Sequence, residues 1–229
     1  MPIYVLGSDI WFPSAEMASP EGIVAVGGDL SPERLITAYS HGIFPWYSKG
    51  EPIIWWSPDP RMVLFPKEVH IAKSMKRIVK KNIFQFTLDR DFRSVIENCR
   101  LPRKNQPSTW ITDEIRDAYV LLHDLGFAHS GEVWRGNRLV GGIYGISLGK
   151  CFFGESMFSK ETNASKFAFI KMAEQLIKMG FIMLDGQVPS RHLETLGARE
   201  VPRKEFLALL KEGLKHETLV GKWLEGFTG

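Results

Sequence analysis

The chain has 229 residues, 44% of them apolar, a formal net charge of +3 and only two cysteines. That composition excludes an intrinsically disordered chain and is enough for one large or two modest domains with a sizeable core. The mild positive charge permits an anionic partner without requiring one, so the distribution of charge has to decide.

Met1 to Ser14 lack the basic-then-apolar pattern of a secretion signal, and no apolar run is long enough to cross a bilayer. A cytoplasmic protein with no membrane partner is therefore expected, with Cys99 and Cys151 reduced. The first part, to about Arg61, is rich in Gly, Pro and Trp around one helix. Ser31 reads as its N-cap, Pro32 as its first residue and Gly42 as the residue past its end. The Pro-punctuated segment from Trp55 to Arg61 reads as a boundary. A helix is predicted roughly from Val69 to Lys81. A second, capped by Thr112 with Asp113 and Glu114 in its first turn, runs to Leu125 before Gly126. Three strands follow at Ser130–Arg135, Arg138–Leu148 and Lys150–Phe158, with turns at Gly136-Asn137 and Gly149. A helix from about Asn163 to Met179, a short strand within Phe181–Val188 and a last helix near Arg203–Leu214 complete an α+β chain.

Two patterns carry chemistry. Lys73, Lys76, Arg77, Lys80 and Lys81 share one face of the predicted basic helix, with Ile71, Met75, Ile78 and Val79 opposite. Without carboxylates at matching spacing, a phosphate-backbone contact is favoured over a solvated face. In the strand near Phe181–Val188, alternation sets Phe181, Met183, Asp185 and Gln187 on one face, and Phe153, Glu155 and Met157 share a face of the third meander strand. If those strands are neighbours, two carboxylates and an amide converge in an apolar setting, where catalytic groups tend to lie. The alternative is that Asp185 and Gln187 end their strand by bonding backbone groups. The sequence contains no P-loop, dinucleotide fingerprint, HExxH or CxxC, so neither a metal site nor a bound cofactor is expected.

Seven blocks resemble, in order, the hallmarks of leucyl/phenylalanyl-tRNA–protein transferases. They begin at Val26, Gly42, Trp55, Thr109, Gly154, Leu184 and His192, reading VGGDL, GIFPW, WWSPDPR, TWI, GESMFS, LDGQ and HLETLGA. The likeness runs from about Phe12 to Phe206. It implies a small N-terminal domain, 1–61, and a catalytic domain of the GCN5-related acetyltransferase fold, 62–229. It also implies transfer of Leu or Phe, with Met a further candidate, from aminoacyl-tRNA to proteins beginning with Arg or Lys, which marks them for degradation by the N-end rule. A monomer without cofactor is expected: Ser159 to Ala164 stand where coenzyme A enzymes of this fold carry a Gly-rich pyrophosphate loop. A CoA-dependent acyltransferase and a non-catalytic RNA-binding module are the alternatives.

By the same resemblance, Asp185 polarises Gln187 against the acceptor amine, and Glu155 holds the acceptor's cationic side chain or the terminal nucleotide. Asp185 acting directly or through water, or relay of the proton by a tRNA ribose hydroxyl, is equally consistent with the chemistry. The amino-acid pocket falls to Trp46, Trp110, Tyr119, Ile143, Met157, Met172, Leu176 and Leu184. Ile143 stands where the family more usually has Met, and Gly186 where Cys is commoner.

Overall fold

The computed structural model describes residues 3–102 and 109–224. The strands, in chain order, are β1 (Tyr4–Leu6), β2 (Ile23–Gly27), β3 (Phe44–Pro45), β4 (Ile54–Trp56), β5 (Arg61–Leu64), β6 (Gln85–Leu88), β7 (Ala128–Arg135), β8 (Arg138–Leu148), β9 (Cys151–Ser159), β10 (Met183–Gln187) and β11 (Arg199–Val201). The helices are α1 (Pro32–Ser40), α2 (Lys73–Lys80), α3 (Phe92–Arg100), α4 (Asp113–Asp124), α5 (Ala164–Lys178), α6 (Arg191–Glu194) and α7 (Arg203–Gly213). The α+β class expected from the sequence is what these elements form. Strands β1 to β4 make a four-stranded sheet in the order β1-β2-β4-β3, and the rest make a seven-stranded sheet in the order β11-β5-β10-β9-β8-β7-β6.

Local chemistry explains much of this. Thr112 accepts the Ile115 N–H at 3.2 Å and starts α4 as a side-chain cap should. Ser31 stands at the N-cap of α1 ahead of Pro32, but its hydroxyl makes no cap bond; Asp29 instead accepts the Ser31 N–H at 2.8 Å. The meander β7-β8-β9 turns at Gly136 and Gly149, both with positive φ, as the sequence predicts. The basic helix is shorter than expected and begins at Lys73. No capping side chain precedes it, and the His70 N–H is taken by the Leu196 carbonyl at 2.9 Å, which holds the lead-in segment extended. Strand β6 and helix α3 were not visible as periodic segments, and β5 continues straight out of the segment read as a boundary.

Both faces of the large sheet are covered. On one, Leu35, Tyr39, Phe44 and Trp55 from the N-terminal part share a single core with Tyr119, Ile146, Phe153 and Phe206. On the other, Phe167, Ile170, Met172 and Leu176 of α5 pack on Leu64, Val133, Val140 and Phe152. The shared core lets α1 thrust a side chain into the functional site. Cys99 and Cys151 are both buried and not bonded to each other. Among the described residues no helix is long and apolar enough to cross a membrane.

Candidate functional site

Strands β9 and β10 run parallel and pair only as far as Phe153 and Asp185. Beyond that β9 continues to Ser159, while β10 ends in an irregularity against β5 and Gln187 adopts a left-handed φ of 64°. Parallel strands that part leave a gap in the sheet, and here the gap is a cavity of about 430 Å³. Ile143, Met157, Phe169 and Leu184 give it apolar walls; Glu155 and Gln187 supply polar groups; Phe44, Trp46 and Trp110 come from outside the parting strands. Trp46 is 43% exposed and stands at the rim, its ring 5.8 Å from that of Trp56. Ser190, His192 and Leu193, at and beside α6, complete the lining.

Five of the expected pocket residues therefore meet at one cavity: Trp46, Trp110, Ile143, Met157 and Leu184. Three stand elsewhere. Met172 and Leu176 share a face of α5 with Phe169 but lie one and two turns farther along the helix, where they are fully buried against the sheet beyond the gap. Tyr119 lies behind the wall, where its hydroxyl donates to Glu155 at 3.1 Å.

The two carboxylates have different surroundings. Glu155 forms part of the cavity wall. Its Oε1 accepts the Tyr39 hydroxyl at 2.7 Å and the Gln187 Nε2 at 2.7 Å; the Tyr39 and Tyr119 oxygens also touch, but with both hydroxyls turned to Glu155 neither has a second proton to give the other. Burial pushes its carboxyl up to about 7, against the pull of the Tyr39 and Tyr119 hydroxyls and with the Asp185 charge adding to the rise. Burial, followed by the Glu155 charge, holds both phenols well above their usual range, so they remain neutral donors.

Asp185 does not reach the cavity, contrary to the expectation that it meets Glu155 at the mouth. It is fully buried and gripped by Arg61, whose Nε and Nη2 donate to its two oxygens at 2.9 and 2.6 Å. It also accepts the Gln187 N–H at 2.8 Å, an Asx-type bond that helps fix the left-handed turn and aim the Gln187 side chain at Glu155. Arg61 is itself sandwiched, 4.8 Å from the Phe44 ring centre and 4.3 Å from that of Phe206, and donates to the Gly42 carbonyl at 3.2 Å. Gly42 has a φ of 74°, and a Cβ there would lie 2.8 Å from Phe206 and Leu207, so glycine is required at this contact.

Sequence reasoning missed Arg61, Tyr39, Phe169 and His192. The one available signal was a charge at the head of the apolar run Met62-Val63-Leu64, where a buried cation implies a buried partner. Lys73, Lys76, Arg77, Lys80 and Lys81 are all exposed on or at the end of α2, with Met75 buried beneath. Among the described residues none of the five is ion-paired. Also among the described residues, no three metal-ligating side chains converge.

The family model described as leucyl/phenylalanyl-tRNA protein transferase matches residues 63–211, and the model of its N-terminal domain matches residues 28–59. A leucyl/phenylalanyl-tRNA–protein transferase from Syntrophus aciditrophicus is 54% identical over 97% of this chain and 94% of its own length. One from an Anaeromyxobacter species is 51% identical over 97% and 95%. Among solved structures, a GCN5-related N-acetyltransferase from Kribbella flavida aligns over 74% of this chain and 60% of its own, at 8% identity and a TM-score of 0.36. The matching models and the extent of identity over nearly the full length place this chain in the leucyl/phenylalanyl-tRNA–protein transferase family of aminoacyltransferases.

Proposed function

We propose that this chain moves Leu or Phe, with Met as a further cargo, from aminoacyl-tRNA to the N-terminal Arg or Lys of acceptor proteins in the cytoplasm. The tag marks the acceptor for degradation by the N-end rule. The enzyme acts as a monomer without a bound cofactor. The observation that carries this reading is the cavity between β9 and β10, which joins apolar walls to a buried carboxylate–amide pair. Ile143, Met157, Phe169 and Leu184 present no polar group to an aliphatic or aromatic side chain, and such a pocket distinguishes cargo mainly by size. Trp46 and Trp110 offer aromatic faces near the opening on which the terminal base of the tRNA can stack. The unpaired cations of α2 suit the sugar-phosphate backbone of a tRNA body.

The aminoacyl ester is already activated, so the protein has to hold the carbonyl against the attacking amine. Positioning of that kind contributes up to about 7–11 kcal/mol. The test is incubation with labelled Phe-tRNA and a peptide beginning with Arg, against a peptide beginning with Ala. Label should pass only to the first. Equal labelling of both, or labelling of neither, refutes the reading.

A further inference from the structure

We infer that Glu155 takes the proton from the attacking α-ammonium, while Asp185 is held out of the reaction as a positioning residue clamped by Arg61. The inference rests on the transfer reaction proposed above and assigns the proton within it. Three features of the geometry carry it. First, Asp185 has no exposed surface and does not line the cavity, whereas Glu155 does, and two of the bonds to Asp185 come from a single cation. Protonating it would strand the fully buried Arg61 guanidinium without a counter-charge. Second, Gln187 is a neutral amide whose nitrogen already donates to Glu155. Its oxygen can orient an ammonium but cannot retain the proton. Third, Glu155 is the one carboxylate among the described lining residues, and its three recorded hydrogen-bond donors are two phenols and an amide, all neutral. A cationic amine entering the cavity supplies the counter-charge that this carboxylate lacks.

The titratable and charged groups around Glu155 support the assignment. Tyr39 of α1, Tyr119 of α4 and Tyr144 of β8 are all pushed well above their usual range, chiefly by burial, and cannot take a proton. Arg61 of β5 and Asp185 of β10 neutralise each other as a bidentate pair. His192 of α6 lines the same cavity and is lowered by burial and by the Lys166 charge. It is the rival base and needs a control. Glu155, raised to about 7, lies close to the roughly 8 of an α-amino group, so the proton passes between nearly matched partners.

The step balances as follows. The ammonium gives one proton to Glu155, and the freed nitrogen lone pair attacks the ester carbonyl carbon. The tetrahedral intermediate collapses as the carbon–oxygen bond to the ribose breaks. The ribose oxygen leaves with that electron pair and takes a second proton from nitrogen, giving an amide and a free tRNA hydroxyl. Glu155 then releases its proton to water.

The experiment is the pH dependence of kcat/KM for Phe transfer to an Arg peptide, measured on the full chain and on Glu155→Gln, Glu155→Asp, Asp185→Asn and His192→Gln. In the unsubstituted protein the rising limb should have its midpoint near 7. Glu155→Gln should lose at least about tenfold at pH 7 and shift the midpoint up by about one unit, to the titration of the amine itself. Glu155→Asp retains an ionisable group and should keep a lower-pH limb at reduced rate. Asp185→Asn removes a charge that raises Glu155, so it should move the midpoint down if at all, and His192→Gln should leave it in place, whatever their rates. An unmoved midpoint in Glu155→Gln, or an upward shift in Asp185→Asn or His192→Gln, overturns the assignment. Absence of transfer by the unsubstituted protein overturns the transfer reading and this inference with it.

Discussion

Replacing Arg61 by Met tests whether the buried pair organises the site. The substitution keeps most of the side-chain length but removes the charge, both bonds to Asp185, the bond to the Gly42 carbonyl and the contacts with the Phe44 and Phe206 rings. Asp185 would keep the Gln187 N–H as its sole recorded donor while remaining fully buried. Removing one member of such a pair typically costs about 3–5 kcal/mol, because the remaining charge is left uncompensated. For a chain of this size that corresponds to a fall in Tm of about 6–20 °C. Urea unfolding followed by tryptophan fluorescence reads the loss. The decisive comparison is the double variant Arg61→Met/Asp185→Asn, in which the charge is gone but the side-chain oxygen can still accept from Gln187. It should recover at least half of the stability lost in Arg61→Met alone. A loss below about 1 kcal/mol, or a double variant no more stable than the single one, would refute the view that charge compensation holds this turn.

Glu155 is raised to about 7 from 4.5, so between those values the folded chain keeps a proton that the unfolded chain releases, and stability falls as pH rises through that window. Glu132, also raised to about 7 by burial, contributes with the same sign. Glu155→Gln should therefore shrink the drop in Tm between pH 5 and pH 8, and a drop unchanged from the parent would contradict the shift. Neutralising Lys76, Arg77 and Lys80 together should reduce the slope of log K against log salt for tRNA binding by about 2. A slope equal to the parent's would remove α2 from the tRNA interface. Ile143→Trp would place a large ring in the cavity wall, so it should abolish Phe transfer while leaving tRNA affinity within about threefold. Retained transfer would mean that the cargo side chain lies elsewhere.

The features legible in the sequence are those set by local chemistry. The cap at Thr112, the start of α1 at Pro32, the turns at Gly136 and Gly149, and the meander strands all depend on residues close in the chain, and each appears within a few positions of where it was expected. Strand β6 escaped because Gln85-Phe86-Thr87-Leu88 is too short for its alternation to stand out. Helix α2 lost its first turn to a backbone bond with Leu196, more than a hundred residues away, which no local pattern encodes.

The site divides along the same line. Sequence alone determined which residue types sit near one another on β9 and β10, the five-cation stripe of α2 and the family to which the motifs point. It could not determine which carboxylate faces the cavity. Alternation puts Asp185 and Gln187 on one face, but the irregularity after Asp185 and the left-handed Gln187 break that period and send the two side chains to different partners. Arg61 reaches Asp185 across 124 positions of chain, and Tyr39 reaches Glu155 across 116. The first contact exists because β5 pairs with β10 in the large sheet, and the second because α1 of the N-terminal part packs into the same core as that sheet. Tertiary structure thus decided which acid is neutralised by a buried cation and which is left to meet an incoming amine, because burial and charge pairing depend on what surrounds a side chain in space.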